Sequence, residues 1–499
     1  MDGIGRKLAV VGLSALMILW GGACRGTGRS KGLAHDVLGD PIPRWRSAMD
    51  TLHVPGMAVA VVAADGTLLV VGLGRRNVDD NLPVTPETLF YIASATKPFV
   101  ALATRLLEES GSIELNRPVR TYLPQFELND PTETRTITLR DLLAHRRGLQ
   151  DYPITFGEAF TGQMTEDRFY RLLRGVSAVG ELDYQNLHYT LLGRGIEAAA
   201  GVSWKEYVER EVLRPAGLDR TGVRSGPLTD DRNAAVPYEP ADGGFHAVRL
   251  KTDRTMHAAG GMLSTADDLA RWVRIHLNEG RIDGRSVFPA AAIREMREPQ
   301  IYEEEESPFL ADHRRIGWGL GWDIREDRGA RLIYHDGVYE GWAAHTSFMP
   351  EVGIGVVVLT NTSNAGLLAA YVIAADVYDR VRGLEPRDVL PRAVSFMEML
   401  KSQTSNARPE IEGGPSLPLE RYVGSYVNED WGTLEISSDG EELHARIGDL
   451  PLPIVWVGAD TLIADEDHEG RFAIDAAGRV TSISLNALAA EGVVQFIRQ

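Results

Sequence analysis

An α+β fold followed by a smaller all-β domain is the fold class that the sequence predicts. Apolar strand patterns stand near both ends of the first 384 residues, and a long helical stretch separates them. A closing helix follows the later strands, so we expect the two chain ends of this domain to pair in one sheet. Beyond residue 416, short strands follow one another at close spacing, which is typical of a small barrel.

The first strands stand early in the chain. Residues 57–64 and 67–72 are apolar runs joined by Asp65-Gly66, which is a strong hairpin signal. The other elements predicted for the first domain are helices over 40–52, 136–143, 187–200, 203–213 and 367–381, a capped helix within 258–277, and strands over 316–324, 331–335, 344–349 and 355–361. The strands predicted for the second domain are 432–437, 442–447, 453–457, 461–464, 471–474, 480–485 and 492–497.

The first 24 residues are typical of an export signal. Arg6 and Lys7 precede an apolar run over 8–20, which suits a signal sequence and is short for a membrane span. Cys24 is the only cysteine, and its place after small residues resembles a bacterial lipoprotein signal, in which the cysteine carries the lipid. Gly21 stands where that signal usually has leucine, so plain cleavage and an uncleaved anchor remain open. We expect an exported protein that is periplasmic or anchored to the membrane as a lipoprotein.

The composition excludes several classes of function. The net charge is -18, which makes the chain a poor candidate for nucleic-acid binding. The sequence has no H-E-x-x-H, C-x-x-C or P-loop motif, so it predicts no metal or nucleotide cofactor. The predicted division is a signal segment (1–24), a tether (25–39), a first domain (40–384), a linker (385–416) and a second domain (417–499). The oligomeric state is not readable from the sequence.

A serine and a lysine stand three residues apart where a helix begins. Ser94 lies at the predicted N-terminus, and Lys97 follows one turn later on the same side. The helix dipole favours negative charge at that end. Burial can push the lysine ammonium towards the neutral amine, which could then take the serine's proton. The helix itself is predicted by apolar residues at the spacing of one buried face, namely Phe99, Leu102, Ala103, Leu106 and Leu107.

Lysine is scarce in this chain. There are six lysines among 52 basic residues, which leaves 46 arginines. Arginine does not give up its proton, so a lysine retained at an apolar helix start indicates chemistry that arginine cannot do. The spacing alone is a weak signal, because a capped core helix with a snorkelling lysine has the same pattern.

Three motifs together carry a family resemblance. In chain order they are Ser94-x-x-Lys97, Tyr184-Gln185-Asn186 and His335-Asp336-Gly337. This set resembles the serine β-lactamase and penicillin-binding-protein superfamily. The Tyr-x-Asn form of the second motif is similar to the class C β-lactamase-like branch, of the esterase or D-aminopeptidase type. The resemblance covers about residues 40–383, and it implies an antiparallel sheet flanked by helices together with an all-helical lobe.

Other stretches extend this resemblance. Segments similar to that branch are 137–145, 260–265 and 319–322. The second domain, with Tyr422-Val423-Gly424-Ser425-Tyr426, resembles the lipocalin-like domain that is often fused to such hydrolases.

The resemblance implies a role for each motif residue. Ser94 would attack a carbonyl and form an acyl-enzyme. Either a neutral Lys97, or Tyr184 with a phenol pKa lowered by a neighbouring cation, would take the proton. Asn186 would hold the substrate's amide or ester oxygen. The oxyanion would lie between the backbone N–H of Ser94 and that of Val338.

The third motif departs from the Lys-Thr-Gly of true β-lactamases and D,D-peptidases. In those enzymes a fixed cation helps to bind a substrate carboxylate. Here His335, mostly neutral at pH 7, takes that place, Asp336 adds an anion and Gly337 follows. Carboxylate recognition should therefore be weakened. We interpret His145, His188 and His345 as structural histidines bonded to the backbone.

Three functions are open at this point. The favoured hypothesis is a serine hydrolase that cleaves a small ester, amide or peptide substrate, including one that contains a D-amino acid. The second is a β-lactamase or D,D-peptidase that recognises penicillin. The third is a non-catalytic binding protein on the same scaffold. The loops around 150–180 and 220–256 should line the cleft, but their sequence has no readable code for the substrate.

Overall fold

The structure is a computed structural model that describes residues 37–241, 243–307, 310, 312–404, 413–464, 469–486 and 492–499. The predicted signal segment, Cys24 and residues 25–36 of the predicted tether lie outside the described residues.

Nine antiparallel strands form the sheet of the first domain. From one edge to the other they are β12 (Ile301–Glu306), β13 (His313–Trp318), β14 (Asp323–Asp327), β15 (Ala330–Tyr339), β16 (Trp342–Met349), β17 (Ile354–Thr360), β1 (Gly56–Ala63), β2 (Gly66–Asn77) and β3 (Leu82–Pro83). Strand β1 pairs with β17, with Met57 opposite Thr360. The expected pairing of the two chain ends of this domain is thus confirmed.

Helices cover both faces of this sheet. The helices of the domain are α1 (Ile42–Leu52), α2 (Lys97–Glu109), α3 (Pro131–Thr136), α4 (Leu139–Leu143), α5 (Tyr152–Phe156), α6 (Glu166–Leu173), α7 (Asn186–Ala200), α8 (Trp204–Val208), α9 (Arg214–Ala216), α10 (Pro227–Asp230), α11 (Ala266–Leu277), α12 (Ala290–Met296) and α13 (Asn364–Val381). Helix α14 (Leu390–Thr404) lies in the predicted linker.

Strand β1 is apolar because it lies between two layers of helices. Alternate side chains of a strand point to opposite faces. Ala58 and Ala60 belong to the core shared with α11 and the helical lobe, whereas Val59 and Val61 belong to the core shared with α1 and α13. Because both faces are covered, the strand is apolar throughout rather than alternating.

Short strand pairs and turns connect the helical lobe to the sheet. The pairs are β4 (Phe90–Tyr91) with β9 (Leu263–Ser264), β5 (Arg146–Leu149) with β6 (Ala178–Leu182), β7 (Tyr238–Ala241) with β8 (Gly244–Ala247), and β10 (Arg281–Ile282) with β11 (Arg285–Ser286). The turns of this domain are 3₁₀ turns at Ala93–Thr96 and Val119–Thr121 and π turns at Gly157–Thr161 and Glu209–Leu213, and a further 3₁₀ turn at Leu419–Arg421 lies in the second domain.

The second domain is one curled sheet of nine strands, a half-barrel. Its order is β21 (Leu450–Leu452), β20 (Leu443–Ile447), β19 (Gly432–Ser438), β18 (Gly424–Asn428), β26 (Val493–Arg498), β25 (Val480–Asn486), β24 (Glu469–Ile474), β23 (Thr461–Ile463) and β22 (Val455–Gly458). Within the described residues its two edge strands do not pair with each other, so the sheet does not close. Tyr422, Tyr426 and Phe496 are fully buried in its core. The α+β class with an all-β second domain is confirmed.

One predicted element is wrong in a way that matters for the site. The sequence predicted a single strand over 316–324, but β13 ends at Trp318 and β14 begins at Asp323. Gly321 adopts a φ of +78° in the turn between them, and a Cβ there would lie 2.8 Å from Ala101 Cβ of α2. The turn therefore packs against the helix that follows Ser94, a long-range contact that strand patterning does not show.

Candidate active site

Ser94 lies in a 3₁₀ turn, Ala93–Thr96, that runs directly into α2. Ala93 adopts a φ of 44°, in the left-handed region that side chains other than glycine rarely occupy. Such a conformation costs about 1–2 kcal/mol and is often found at functional sites. Pro98 lies in the first turn of α2, where its missing N–H removes no helical hydrogen bond. The turn thus presents Ser94 beside the helix start, as the sequence predicted.

Lys97 is completely buried, with 0% of its surface exposed. Its Nζ lies 2.9 Å from Ser94 Oγ. The same atom lies 2.9 Å from Asn186 Oδ1 and 2.8 Å from the carbonyl oxygen of Ala259. Burial lowers the pKa of Lys97 well below the ordinary 10.5. A neutral amine can donate to the two carbonyl-type oxygens and keep its lone pair facing the Ser94 hydroxyl.

Tyr184 lies close to both Ser94 and Lys97. Its ring centroid is 4.7 Å from Lys97 Nζ, and its side chain shares a hydrogen bond with Ser94. Burial raises the pKa of Tyr184 above the ordinary value of 10.0. The lowered phenol pKa that one of the expected mechanisms requires is therefore not what this environment produces.

Asn186 is the first residue of α7 and points back to the lysine. Its side chain forms no capping bond; Gln185 occupies the N-cap position. With Oδ1 directed at Lys97, the amide NH₂ of Asn186 is the part that can donate to a substrate oxygen.

Strand β15 brings the third motif to the serine. Its pairing with β14 ends at Tyr334, so residues 335–339 have a ladder partner only in β16. A Cβ on Gly337 would lie 2.0 Å from the carbonyl oxygen of Ile92 and 3.0 Å from the N of Ala95. Only glycine lets this strand edge approach the Ser94 turn so closely.

We expect Gly337→Ala to lower kcat/KM by about 100-fold or more, because displacing a reacting group by about 1 Å has an effect of that size. The new methyl group would press on backbone atoms, which cannot move aside as a side chain could. Gly244→Ala is the matched control, since nothing lies within 4 Å of a Cβ there. Steady-state kinetics and thermal unfolding of both variants test this. Equal activity of the two would show that the close approach is dispensable.

His335 lies on the same strand edge and is buried. Its Nδ1 is 2.7 Å from the carbonyl oxygen of Asp336, and its ring is 6.1 Å from that of Tyr184. Burial lowers the pKa of His335 to about 4. The imidazole is therefore neutral at pH 7, and it supplies no fixed positive charge to the cleft.

Asp336 does not add an anion to the cleft, contrary to the prediction. Its Oδ1 lies 2.6 Å from His345 Nδ1, and Tyr371 of α13 donates to its Oδ2. Strand alternation turns this side chain to the face opposite Gly337. We expected His345 to be bonded to the backbone, but its ring nitrogens contact side chains instead. Its Nε2 lies 2.8 Å from Ser347 Oγ.

This second group has the composition of a Ser-His-Asp triad, but its burial argues against a hydrolytic role. Ser347 is completely buried and also lies 2.9 Å from the hydroxyl of Tyr378. A substrate carbonyl could not reach it without unfolding the helix layer. The network links β15 and β16 to α13.

The comparisons with known proteins identify the family. Residues 45–377 match the family described as Beta-lactamase, which is well over half of the chain. The chain belongs to the β-lactamase family. It is therefore a serine hydrolase of the β-lactamase and penicillin-binding-protein superfamily. Residues 408–496 match a domain of unknown function, DUF3471.

Individual relatives of this β-lactamase-family chain cover different shares of it. An unguisins hydrolase of Aspergillus campestris is 26% identical over 81% of this chain and 79% of its own length. Penicillin-binding protein 4 of Amycolatopsis lactamdurans is 28% identical over 64% of this chain and 84% of its own. The octameric penicillin-binding protein homologue from Pyrococcus abyssi has a TM-score of 0.59 at 23% identity, covering 92% of this chain and 98% of that one. At that identity the structure shows a shared fold.

Sequence reasoning missed two parts of this β-lactamase-family site. Ala259 contributes only its carbonyl oxygen, which no side-chain pattern reveals, although the neighbouring Gly260-Gly261-Met262 stretch was noted. His145 was assigned a structural role, yet its ring lies 4.5 Å from that of Tyr184 and 5.0 Å from that of Trp318. Its Nδ1 also accepts a long hydrogen bond, 3.3 Å, from the N–H of Gln185. His145 thus walls one side of Tyr184.

Metal and membrane features are not seen in the described part of the chain. Within the described ranges no three His, Cys, Asp or Glu side chains are grouped so that they could hold a metal ion. None of the helices among those residues has the length and apolarity needed to cross a membrane.

Proposed function

We propose that this protein hydrolyses an ester or amide bond through an acyl-enzyme on Ser94, with Lys97 as the general base. The observation that carries the proposal is the completely buried lysine whose Nζ lies 2.9 Å from Ser94 Oγ. Burial lowers the pKa of Lys97 and so favours the neutral amine, which at that distance can remove the serine's proton. The raised pKa of Tyr184 favours Lys97 over Tyr184 in this role.

The proposed reaction has two steps. Ser94 Oγ attacks the substrate carbonyl carbon while its proton passes to Lys97 Nζ. As the carbonyl reforms, the bond to the leaving group breaks, and the leaving group takes a proton from Tyr184, which recovers one from Lys97. Water then attacks the acyl carbon, and its proton passes to Tyr184, from Tyr184 to Lys97 and from Lys97 to Ser94 Oγ. The acid and the free serine are released.

Backbone and side-chain donors would stabilise and orient the substrate. The backbone N–H groups of Ser94 and Val338 would hold the oxyanion, since β15 runs past the serine turn as an edge without a β14 partner. The Asn186 amide would donate to the substrate's own amide or ester oxygen. His335 and Gly337 would shape the strand edge along which the substrate lies.

The third motif argues for ester or amide substrates over carboxylate-bearing lactams. His335 is neutral at pH 7, because its pKa is about 4. A substrate carboxylate would therefore meet no fixed cation from this motif. We assign the chain to the class C-like branch, of esterase or D-aminopeptidase type, with a lipocalin-like second domain. Export, with Cys24 as the lipidation site, completes the proposal.

Penicillin recognition is the second candidate function. It is favoured by the 28% identity to a protein named penicillin-binding protein 4 over 84% of that protein's length. That similarity is confined to 64% of this chain. The neutral third motif argues against tight binding of the penicillin carboxylate.

The deciding experiment is mass spectrometry of the intact protein after brief incubation with a short-chain p-nitrophenyl ester or with penicillin. We expect an acyl adduct from the ester that maps to the peptide containing Ser94 and disappears on standing. With penicillin at millimolar concentration we expect little or no adduct. A stable penicilloyl adduct without ester turnover would replace the first function by the second.

A further inference from the structure

Half-buried aromatic rings extend from the strand edge at Ser94 towards the second domain. Tyr339 follows Val338 on β15, and its ring lies 5.6 Å from that of Phe160. Phe160 is 6.0 Å from Phe156, and Phe156 is 5.2 Å from Trp431 of the second domain. We call these four side chains the aromatic row. Tyr339, Phe160 and Phe156 are partly exposed, whereas Trp431 is buried behind them.

The row begins inside the site. The ring of Tyr339 lies 5.6 Å from that of Tyr91, three residues before Ser94. By strand alternation Tyr339 shares a face with His335 and Gly337. Val338, between Gly337 and Tyr339, is 39% exposed, so no other element covers this end of the strand edge completely.

A second buried lysine holds the row in place. Lys251 is only 5% exposed, and its Nζ lies 3.8 Å from the ring centroid of Tyr339 and 5.2 Å from that of Phe160. The same nitrogen donates to the carbonyl oxygen of Ala159. Burial lowers the pKa of Lys251 well below 10.5, and the nitrogen keeps N–H groups for this carbonyl whether or not it is charged. Lys251 therefore fastens the Phe160 segment to the end of β15.

The second domain holds the same segment from its other side. The N–H of Asp449 donates to the carbonyl oxygen of Thr161 at 2.9 Å, and the N–H of Thr433 donates to Gln163 Oε1 at 2.8 Å. Asp449 also pairs with Arg254. The short segment that carries Phe156 and Phe160 is thus fixed by both domains rather than left as a loose loop.

The direction in which the aromatic row runs from the site indicates which part of the substrate it would contact. Tyr184, the proposed proton donor to the leaving group, lies near His335. Tyr339 is four residues further along β15, which is about 13 Å of strand. If the leaving group lies at Tyr184, the acyl part of the substrate extends in the other direction along β15, towards Tyr339.

We propose that the aromatic row is the subsite for a large apolar or aromatic group on the acyl side of the substrate, built jointly by the two domains; this rests on the proposed Ser94 function. Half-buried rings offer such a group contact area at low entropic cost. The second domain thus contributes to substrate selection through Trp431, which backs Phe156.

Boronic acids test the subsite without requiring turnover, because the boron accepts Ser94 Oγ as a fourth ligand. We would measure Kd for methylboronic and 2-phenylethylboronic acid on the full chain by calorimetry. The phenylethyl compound should bind about tenfold tighter or more, as burial of a large apolar group allows. Phe160→Ala and Trp431→Ala should each reduce that ratio by about threefold or more.

Two further variants keep the test decisive. Phe160→Leu retains apolar volume if the alanine variant does not fold, and it should still reduce the ratio. Trp456→Ala removes a half-buried ring whose contacts, with Tyr422 and Phe472, lie within the second domain, and it should leave the ratio unchanged.

Each outcome has one meaning. Equal affinity for both boronic acids, or a ratio insensitive to Phe160 and Trp431, overturns the subsite while the Ser94 function stands. If the native protein binds both compounds no more tightly than Ser94→Ala does, the compounds do not bind at Ser94. That outcome overturns the proposed function and the subsite with it.

Discussion

Ser94→Ala is expected to lower kcat/KM for a short-chain p-nitrophenyl ester by about 10⁴-fold or more, as removal of a catalytic nucleophile does. The hydroxyl is the only atom removed, and it is one of three polar contacts of Lys97 Nζ. The fold should therefore persist, with a Tm within about 3 °C of that of the native protein. Ester kinetics and thermal unfolding measured on the same preparations test both statements.

Ser347→Ala is the matched control for this experiment. It removes the serine of the buried Ser-His-Asp group behind the sheet and leaves polar atoms of His345 and Tyr378 without that partner. We expect a stability loss of about 1–3 kcal/mol but retained hydrolysis. Full activity of Ser94→Ala, or a folded but inactive Ser347→Ala, would move the chemistry to the other face of the sheet.

Lys97→Met and Lys97→Arg are expected to lower the rate of Ser94 acylation by about 10³-fold or more, because neither side chain can accept the serine's proton at neutral pH. The native rate should persist well below pH 10.5, since burial lowers the pKa of Lys97, and should fall at pH values below that lowered pKa. Burst-phase ester kinetics as a function of pH measure this. Substantial acylation by Lys97→Arg would assign the base to another group.

The lowered pKa of Lys97 also makes the free energy of unfolding depend on pH. At a pH between the folded and unfolded pKa values of Lys97, the unfolded chain binds a proton that the folded chain lacks. The Lys97 contribution to the free energy of unfolding therefore rises with pH in that window, by about 1.4 kcal/mol per unit, and is level above it. Lys97→Met should remove this rise, whereas Lys401→Met, at an exposed lysine of α14, should keep it. Parallel pH profiles for native protein and Lys97→Met would contradict a neutral buried lysine.

Local sequence carried much of the fold prediction. The Asp65-Gly66 turn, the paired apolar runs and the α7 pattern all appear where they were expected, because turn chemistry and helical periodicity act over a few residues. The strand predicted over 316–324 was wrong because an apolar run continues through the Gly321 turn. What breaks it is packing against α2, which local patterning does not contain.

The candidate site, like the fold, could be predicted where it depends on local spacing but not where it depends on tertiary contacts. Ser94 and Lys97 meet because three residues make one helical turn, so their contact could be predicted from spacing. The direction of Asp336 could also have been inferred from strand alternation, but only once the covered face of β15 was known.

The sequence by itself determined the α+β class, the family and the Ser94, Lys97 and Tyr184 set, because spacing and motif order are properties of the chain. Only the tertiary structure decided which atoms surround Lys97 Nζ, including the Ala259 carbonyl, and that Asp336 faces away from the cleft. It also decided that rings from both domains line up beyond Val338. The contacts of Lys97 with Ala259 and of Phe156 with Trp431 join segments more than a hundred residues apart, so their pairing is set by the packing of the domains and not by local sequence.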